Sequence, residues 1–296
     1  MTIAFTEIQI AAAKNLIKLS LEEDLNQTGD LTCQALINEG DQGEIQIVSR
    51  ETGILAGLPL ASLVFSELNS EVKCTQHLSD GDTLEPGSII STCSGPLASI
   101  LIGERTILNF MTHLCGVASL TAKYVQAIQG TSATILDTRK TLPGWRILEK
   151  YAVTAGGGTN HRIGLYDGIL IKDNHLAAWA ARNSDSTIAD AIRQARDSVN
   201  GKKGIEVEVD TLDQLTDAMQ AEPEIVLLDN MKPETLKQAI QLRNEQSPTT
   251  LLEASGGINL ESVRSIAETG VERISIGALT HSAVSLDLGF DWKQRT

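Results

Sequence analysis

LDTRKTLPGWRILEKYAVTAGGGTNHRIGLYDGILIKDNH, the stretch from Leu136 to His175, carries the pattern from which the fold can be read. Its first residue closes a short apolar run, Ala133 to Leu136, that breaks into Asp137-Thr138-Arg139-Lys140. After the Pro143-Gly144 turn, Trp145, Arg146 and Lys150 belong to a helix, and their place there is a surface or a subunit contact. A second apolar run, Gly168 to Ile171, then breaks into Lys172-Asp173-Asn174. Run, helix and run is the repeat of a parallel sheet, whose strands are buried on both faces and read as short continuous apolar segments.

The same pattern continues along the chain. Strand-length runs recur at Ile205 to Val209, Glu224 to Leu228, Thr250 to Leu252 and Arg273 to Ile276. Helical patterns separate them at Thr187 to Val199, Thr211 to Ala221, Pro233 to Asn244 and Leu260 to Glu268. Each run ends in charge or glycine: Glu206-Val207-Glu208, Asp229-Asn230, Glu253-Ala254-Ser255-Gly256-Gly257 and Gly277. An open sheet would use mainly one switch point. Charges on nearly every strand end favour a closed or nearly closed α/β barrel, where those ends share one mouth.

Upstream the character differs. Residues 43–95 are short alternating stretches broken by Gly, Pro and Asp-Gly, with one helix near Pro59 to Leu68, and read as a small α/β module. A long helical pattern starts at Leu97. Arg105 sits in its first half beside Glu104, and from spacing alone it reads as a surface ion pair. The first 25 residues read as an amphipathic helix and not a signal peptide. Glu22 to Leu36 reads as a connector. The expected division is therefore 1–115 for an N-terminal α/β domain and 116–296 for the barrel.

Composition narrows the function. The chain has 296 residues and a formal net charge of -14, which disfavours binding to a phosphate backbone. Only 3% of residues are aromatic, too few for base-stacking platforms, so no nucleic acid is expected as a partner. No apolar run approaches the length of a bilayer span, so no membrane partner is expected either. Cys33, Cys74, Cys93 and Cys115 lack any CxxC spacing; neither a zinc site nor a disulfide framework is indicated, and a reducing cytoplasm is the expected home.

Against that acidic background, Leu136 to His175 holds six Lys or Arg and only four Asp or Glu. Arg139, Lys140, His161, Arg162 and Lys172 form a cationic half suited to two carboxylates or to phosphates. Glu208 and Asp229, on sequential strand ends, form an acidic half suited to a divalent cation or ribose hydroxyls. Ser255-Gly256-Gly257, opening a helix at Asn259, and Gly277-Ala278-Leu279 read as a phosphate cradle. Gly156 to Gly158 reads as a place where substrate approaches the backbone. Glu206 and Glu208 share one face of their strand, where one of them reads as balancing a buried lysine, while His113 and His175 are as readily structural as catalytic.

These motifs resemble one family. DTRKTLPGWR (Asp137 to Arg146), GGGTNHRIGLYDGILIKDNH (Gly156 to His175), EVEV (Glu206 to Val209), LLDN (Leu227 to Asn230), EASGGI (Glu253 to Ile258) and ISIGALTHS (Ile274 to Ser282) are similar to quinolinate phosphoribosyltransferase. GDLT (Gly29 to Thr32), GILAG (Gly53 to Gly57) and ERTILNF (Glu104 to Phe110) extend the likeness toward the front. It implies an N-terminal α/β sandwich, an incomplete C-terminal parallel α/β barrel, and a cytoplasmic homodimer, with stacking of dimers into a hexamer left open. The implied reaction joins quinolinate to phosphoribosyl pyrophosphate (PRPP) with Mg2+, releasing pyrophosphate and CO2 and forming nicotinate mononucleotide. Arg105, Arg139, His161, Arg162 and Lys172 would bind quinolinate, with Arg105 supplied by the neighbouring subunit. Lys140, Thr141, Ser255, Gly256, Gly257, Gly277, Ala278 and Leu279 would hold PRPP or pyrophosphate. Glu208 and Asp229 would meet ribose and metal, with Lys140 catalytic beside them. Two other readings stay open on residues alone: a transferase with a different acceptor, such as nicotinate, and a non-catalytic barrel that senses an anionic metabolite.

Overall fold

A computed structural model describes residues 4–69, 71–182, 186–200 and 204–292. The first part of the chain forms α1 (Glu7–Leu25), α2 (Leu31–Leu36), β1 (Gln42–Ser49), β2 (Gly53–Ile54), α3 (Pro59–Leu68), β3 (Lys73–Gln76), β4 (Thr83–Leu84), β5 (Ile89–Pro96) and α4 (Leu97–Ala127). Next come β6 (Thr134–Leu136), α5 (Arg146–Ala155), β7 (Ile169–Ile171), α6 (Asp173–Ala180), α7 (Ile188–Ser198), β8 (Ile205–Val209) and α8 (Leu212–Met219). The chain closes with β9 (Ile225–Asp229), α9 (Pro233–Gln246), β10 (Leu251–Ser255), α10 (Val263–Ala267), β11 (Arg273–Ser275), α11 (Ala278–His281) and β12 (Leu288–Trp292). No helix among the described residues is long and apolar enough to cross a membrane.

Two compact units result. One gathers Met1–Ala122, Thr141–Gly157 and Leu279–Thr296; the other gathers Lys123–Lys140 and Gly158–Ala278. This differs from a single cut between residues 115 and 116. The physical reason is pairing at both ends of the chain: β12 runs antiparallel to β1, with Ile45 opposite Trp292 and Ser49 opposite Leu288, so the C-terminus joins the first unit. The strand was not anticipated, because nothing in LGFDW points to its distant partner.

In the first unit an antiparallel sheet of order β12-β1-β5-β3 is accompanied by the β2-β4 pair and the helices. Along α1, Ala13, Ile17 and Leu21 are buried, a single stripe at i, i+4 and i+8. The connector contains a helix that was missed: Asp30 caps α2 by accepting from the N–H groups of Thr32 at 2.8 Å and Cys33 at 3.2 Å. Asp80 is buried and accepts from the N–H groups of Gly57 and Leu58, each at 3.0 Å, and from the hydroxyl of Tyr151. Burial nonetheless raises its pKa above the ordinary carboxylate value.

Several expectations are corrected here. Cys74 and Cys93 are joined by a disulfide, which the spacing did not indicate; antiparallel pairing of β3 with β5 sets them opposite each other. Cys33 and Cys115 are buried free thiols, and burial pushes Cys115 up to about 12. Lys150 is not a surface residue but is 1% exposed. Its neighbour Glu149 is buried too, held by His113 Nε2 at 2.8 Å and the N–H of Leu142 at 3.1 Å, which makes His113 structural. Gly156 serves helix packing and not substrate approach, since a Cβ there would lie 2.3 Å from the carbonyl oxygen of Ala118 on α4.

The second unit holds a six-stranded sheet of order β6-β11-β10-β9-β8-β7. Every neighbouring pair is parallel. β6 and β7 remain the two edges, so the barrel is incomplete. At the end remote from the strand C-termini, Arg243 donates to the carbonyl of Thr250 at 2.6 Å and pairs with Glu272 at 2.7 Å, tying α9 to the β10 and β11 entries.

Asp80→Ala strands three donors and is expected to destabilise the protein by about 3 kcal/mol in urea unfolding, with Tyr151→Phe costing about 1 kcal/mol. Thiol titration of the denatured, unreduced protein should count two free thiols, Cys33 and Cys115, and not four. Reduction should lower stability by about 3 kcal/mol, the entropy of a loop of this length.

Candidate functional site

A cavity of about 570 Å³ opens at the C-terminal ends of the second unit's strands. Parallel pairing dictates its place: when every strand runs the same way, the residues following each strand emerge at one edge. Arg139 and Lys140 follow β6, Lys172 follows β7, Glu208 lies on β8, Asp229 ends β9, and Ser255, Gly256 and Gly257 end β10. His161 and Arg162 reach the same cavity from a loop that precedes β7. Ten of the expected residues therefore line one space: Arg139, Lys140, His161, Arg162, Lys172, Glu208, Asp229, Ser255, Gly256 and Gly257.

Other expectations are not gathered there. Gly277 and Ala278 belong to the same unit but do not line this cavity, while Thr141, Leu279 and Arg105 belong to the first unit. Arg105 is exposed on α4 and takes part in no ion pair among the described residues, so the surface pair with Glu104 is not formed. The helix after the glycine turn begins at Val263, not Asn259; Asn259 instead closes a turn by accepting from the N–H groups of Glu261 and Ser262, each at 3.0 Å. With α10 only five residues long, any anion at this turn relies on the turn's own N–H groups and not on a helix dipole.

Buried carboxylates hold the loop that carries His161 and Arg162. Asp137 is fully buried, and it accepts from the His161 N–H at 2.9 Å and the Asn160 amide at 2.7 Å. His161 Nε2 lies 3.2 Å from Glu206 and 3.3 Å from Glu253. Of the two acids on this strand face, Glu206 thus faces an imidazole and Glu208 a lysine, Lys172, which is not buried. Burial pulls the imidazole pKa down, but hydrogen bonds to Glu206 and Glu253 outweigh it and raise the value to about 9. The N–H of Arg162 lies 2.8 Å from Nδ1, a contact that only the neutral Nε2–H ring can make; the charged ring that the raised value favours gives it up.

The same ring bears on metal binding. His161, Glu206 and Glu253 have the composition of a divalent cation site. A metal at Nε2 needs a lone pair there, whereas the two glutamates favour a proton on that nitrogen. The cluster is a hydrogen-bonded one. Arg273 donates to Glu253 at 2.7 Å, and with His161 it holds that buried carboxyl below its usual range despite the opposing effect of burial.

The cationic wall is closely spaced. Burial and the neighbouring Arg139 guanidinium hold Arg162 below its ordinary value, a cost that a bound dianion would offset. Arg162 also donates to the carbonyl of Gly168 at 3.0 Å. Lys172 is ion-paired with Glu208, so an expected substrate cation and an expected sugar ligand neutralise each other across the cavity. Asp229 Oδ2 accepts from the Asn230 amide at 2.6 Å. Sequence reasoning did not single out Asn230, Ser275 or the pairing of Glu253 with His161; only the sheet register brings them together.

Residues 117–291 match the family described as quinolinate phosphoribosyl transferase, C-terminal domain, and residues 30–115 match its N-terminal domain. The chain is 42% identical to the nicotinate-nucleotide pyrophosphorylase [carboxylating] of Mycobacterium leprae, over 97% of this chain and 99% of that one. It is 43% identical to a probable enzyme of the same name from Bacillus subtilis, over 94% and 92%. A solved structure of the nicotinate-nucleotide pyrophosphorylase from Francisella tularensis superposes with a TM-score of 0.88 at 37% identity, covering 99% of each chain.

The glycine turn yields a paired prediction. Gly256 has φ +95, and an added Cβ would lie 2.3 Å from Asn230 Oδ1, whereas Gly257 has φ +61 with open space around it. In thermal unfolding, Gly257→Ala should cost about 1 kcal/mol, the left-handed backbone penalty alone, and Gly256→Ala distinctly more.

Proposed function

Because the chain belongs to the quinolinate phosphoribosyltransferase family, we infer that its cavity carries out that family's transfer through the groups set out above. The protein is a pentosyltransferase of NAD biosynthesis. It moves the phosphoribosyl group of PRPP onto quinolinate with decarboxylation, giving nicotinate mononucleotide, pyrophosphate and CO2. The observation that carries the residue roles is the single cavity with a cationic wall of Arg139, Lys140, Arg162 and Lys172 beside the acids Glu208 and Asp229. A monocarboxylate acceptor such as nicotinate does not call for so many cations, and a sensing barrel has no use for the acid pair.

In this reading Arg139, Arg162 and Lys172 grip the two quinolinate carboxylates, with His161 beside them, its Nε2 held by Glu206 and Glu253. Lys172 exchanges Glu208 for substrate, which frees Glu208 for the sugar. Breaking the bond between sugar C1 and pyrophosphate builds positive charge on the ribose and negative charge on the leaving group. Glu208 and Asp229 stabilise the first, while Lys140 and the Ser255-Gly256-Gly257 turn stabilise the second. No covalent nucleophile is required. Once the ring nitrogen is substituted, the cationic ring stabilises the electron pair that CO2 leaves on the ring carbon, a proton from water fills that position, and the protein's task is orientation.

Mg2+ fits the donor set. Hard carboxylate oxygens suit it, and it commonly takes one or two of them together with substrate phosphates. Asp229, and Glu208 once released from Lys172, would hold it, and when bound it would neutralise charge on the pyrophosphate. Arg105 acts from a neighbouring subunit in a homodimer, which can associate further to a hexamer; its exposed, unpaired position on α4 supports this. The cytoplasm is the setting that its soluble substrates favour.

Purified protein supplied with quinolinate, PRPP and Mg2+ should release CO2 and nicotinate mononucleotide; failure with quinolinate but turnover with nicotinate would reverse the acceptor assignment. Arg105→Ala and Lys140→Ala should each lower kcat/KM by about a thousandfold with the fold retained by circular dichroism. Mixing the two variants should restore part of the activity through hybrid dimers, and no recovery would remove Arg105 from the neighbour's site.

A further inference from the structure

Asp229 and the glycine turn end neighbouring strands, and one residue touches both. Asn230 follows the last residue of β9 with a left-handed backbone, φ +54. Its N–H donates to the carbonyl of Ser255 at 2.8 Å, which carries the β9-β10 ladder one step past the strand end. Its side-chain amide donates to Asp229 Oδ2 at 2.6 Å. The other end of the carboxamide, Oδ1, occupies the space that a Cβ on Gly256 would need. One end of the side chain is thus hydrogen-bonded to a carboxylate, and the other packs against Gly256.

We propose that Asn230 is a positioning residue, which fixes the rotamer of Asp229 and sets its spacing from the Ser255-Gly256-Gly257 turn. The inference rests on the reading that Asp229 serves the ribose end of PRPP and the turn its phosphate end. With Oδ2 held by the amide, Asp229 presents Oδ1 to the sugar. The sugar's positive charge develops only in the transition state, so a misdirected Asp229 lowers kcat and leaves quinolinate binding intact. Asparagine meets two demands at once: among residues with a side chain it tolerates the left-handed backbone well, and it supplies the N–H donor.

A plain backbone role is separable from this one. Asn230→Gly keeps the backbone freedom and removes the amide. Asn230→Asp keeps the shape but turns an oxygen toward the Asp229 carboxylate. Kinetics of both variants, with thermal unfolding as the fold control, should show melting temperatures near that of the parent, kcat about ten- to a hundredfold lower and an unchanged KM for quinolinate, with Asn230→Asp the worse. An Asn230→Gly enzyme with parental kcat would overturn the proposal, because asparagine would then be present for its backbone alone. Asp229→Asn tests the underlying reading: if that variant also keeps parental kcat, Asp229 has no part in turnover and the assignment of the ribose end fails first. If Asp229→Asn is crippled while Asn230→Gly is not, only the positioning role falls.

Discussion

Uniform strand direction is the constraint on which the second unit depends. Six strands run parallel, and their registers hold neighbouring termini level, as in the alignment of Ser255 with Asp229 and of Val209 with Leu228. Residues separated by more than a hundred positions in sequence thus reach one cavity without any long loop. Reversing a single strand would bury its polar terminus at the far edge of the sheet. Function here follows from geometry that backbone hydrogen bonds enforce before any side chain is chosen.

Charge burial is what turns that edge into a specific site. Asp137, Glu206 and Glu253 are nearly or wholly buried, and isolated carboxylates so placed would be strongly unfavourable. Each is compensated locally: Asp137 by the Asn160 amide and the His161 N–H, Glu206 by His161, and Glu253 by His161 and Arg273. Removing one partner would leave another buried and unmatched, so the network holds the His161-Arg162 loop in one conformation. Arg162 and Arg139 can then stand close together, a like-charge arrangement that favours binding of a dianion.

The α/β class, the strand-helix alternation that makes a parallel sheet, and the different character of the short strands before it were legible in the chain. α4 and α3 begin and end where their periodicity places them, and β8 matches its apolar run residue for residue. What escaped notice depended on distant partners. Cys74 and Cys93 carry no spacing signal because their proximity is a property of β3-β5 pairing. β12 is a five-residue segment whose pairing with β1 spans nearly the whole chain. Lys150 reads as exposed because charge is the ordinary mark of a surface, and only packing reveals an exception.

By itself, the sequence determined which chemistry was present: a cluster of cations in an acidic chain, acids on sequential strand ends, and glycines where backbone must turn. Local composition suffices for that, since period, charge and turn propensity are properties of neighbouring residues. Tertiary structure decided the pairings, namely Lys172 with Glu208, His161 with Glu206 and Glu253, and Asn230 with Asp229 and Gly256. Those depend on strand register and side-chain direction, and a shift of one residue in any strand would send the same side chains to the opposite face.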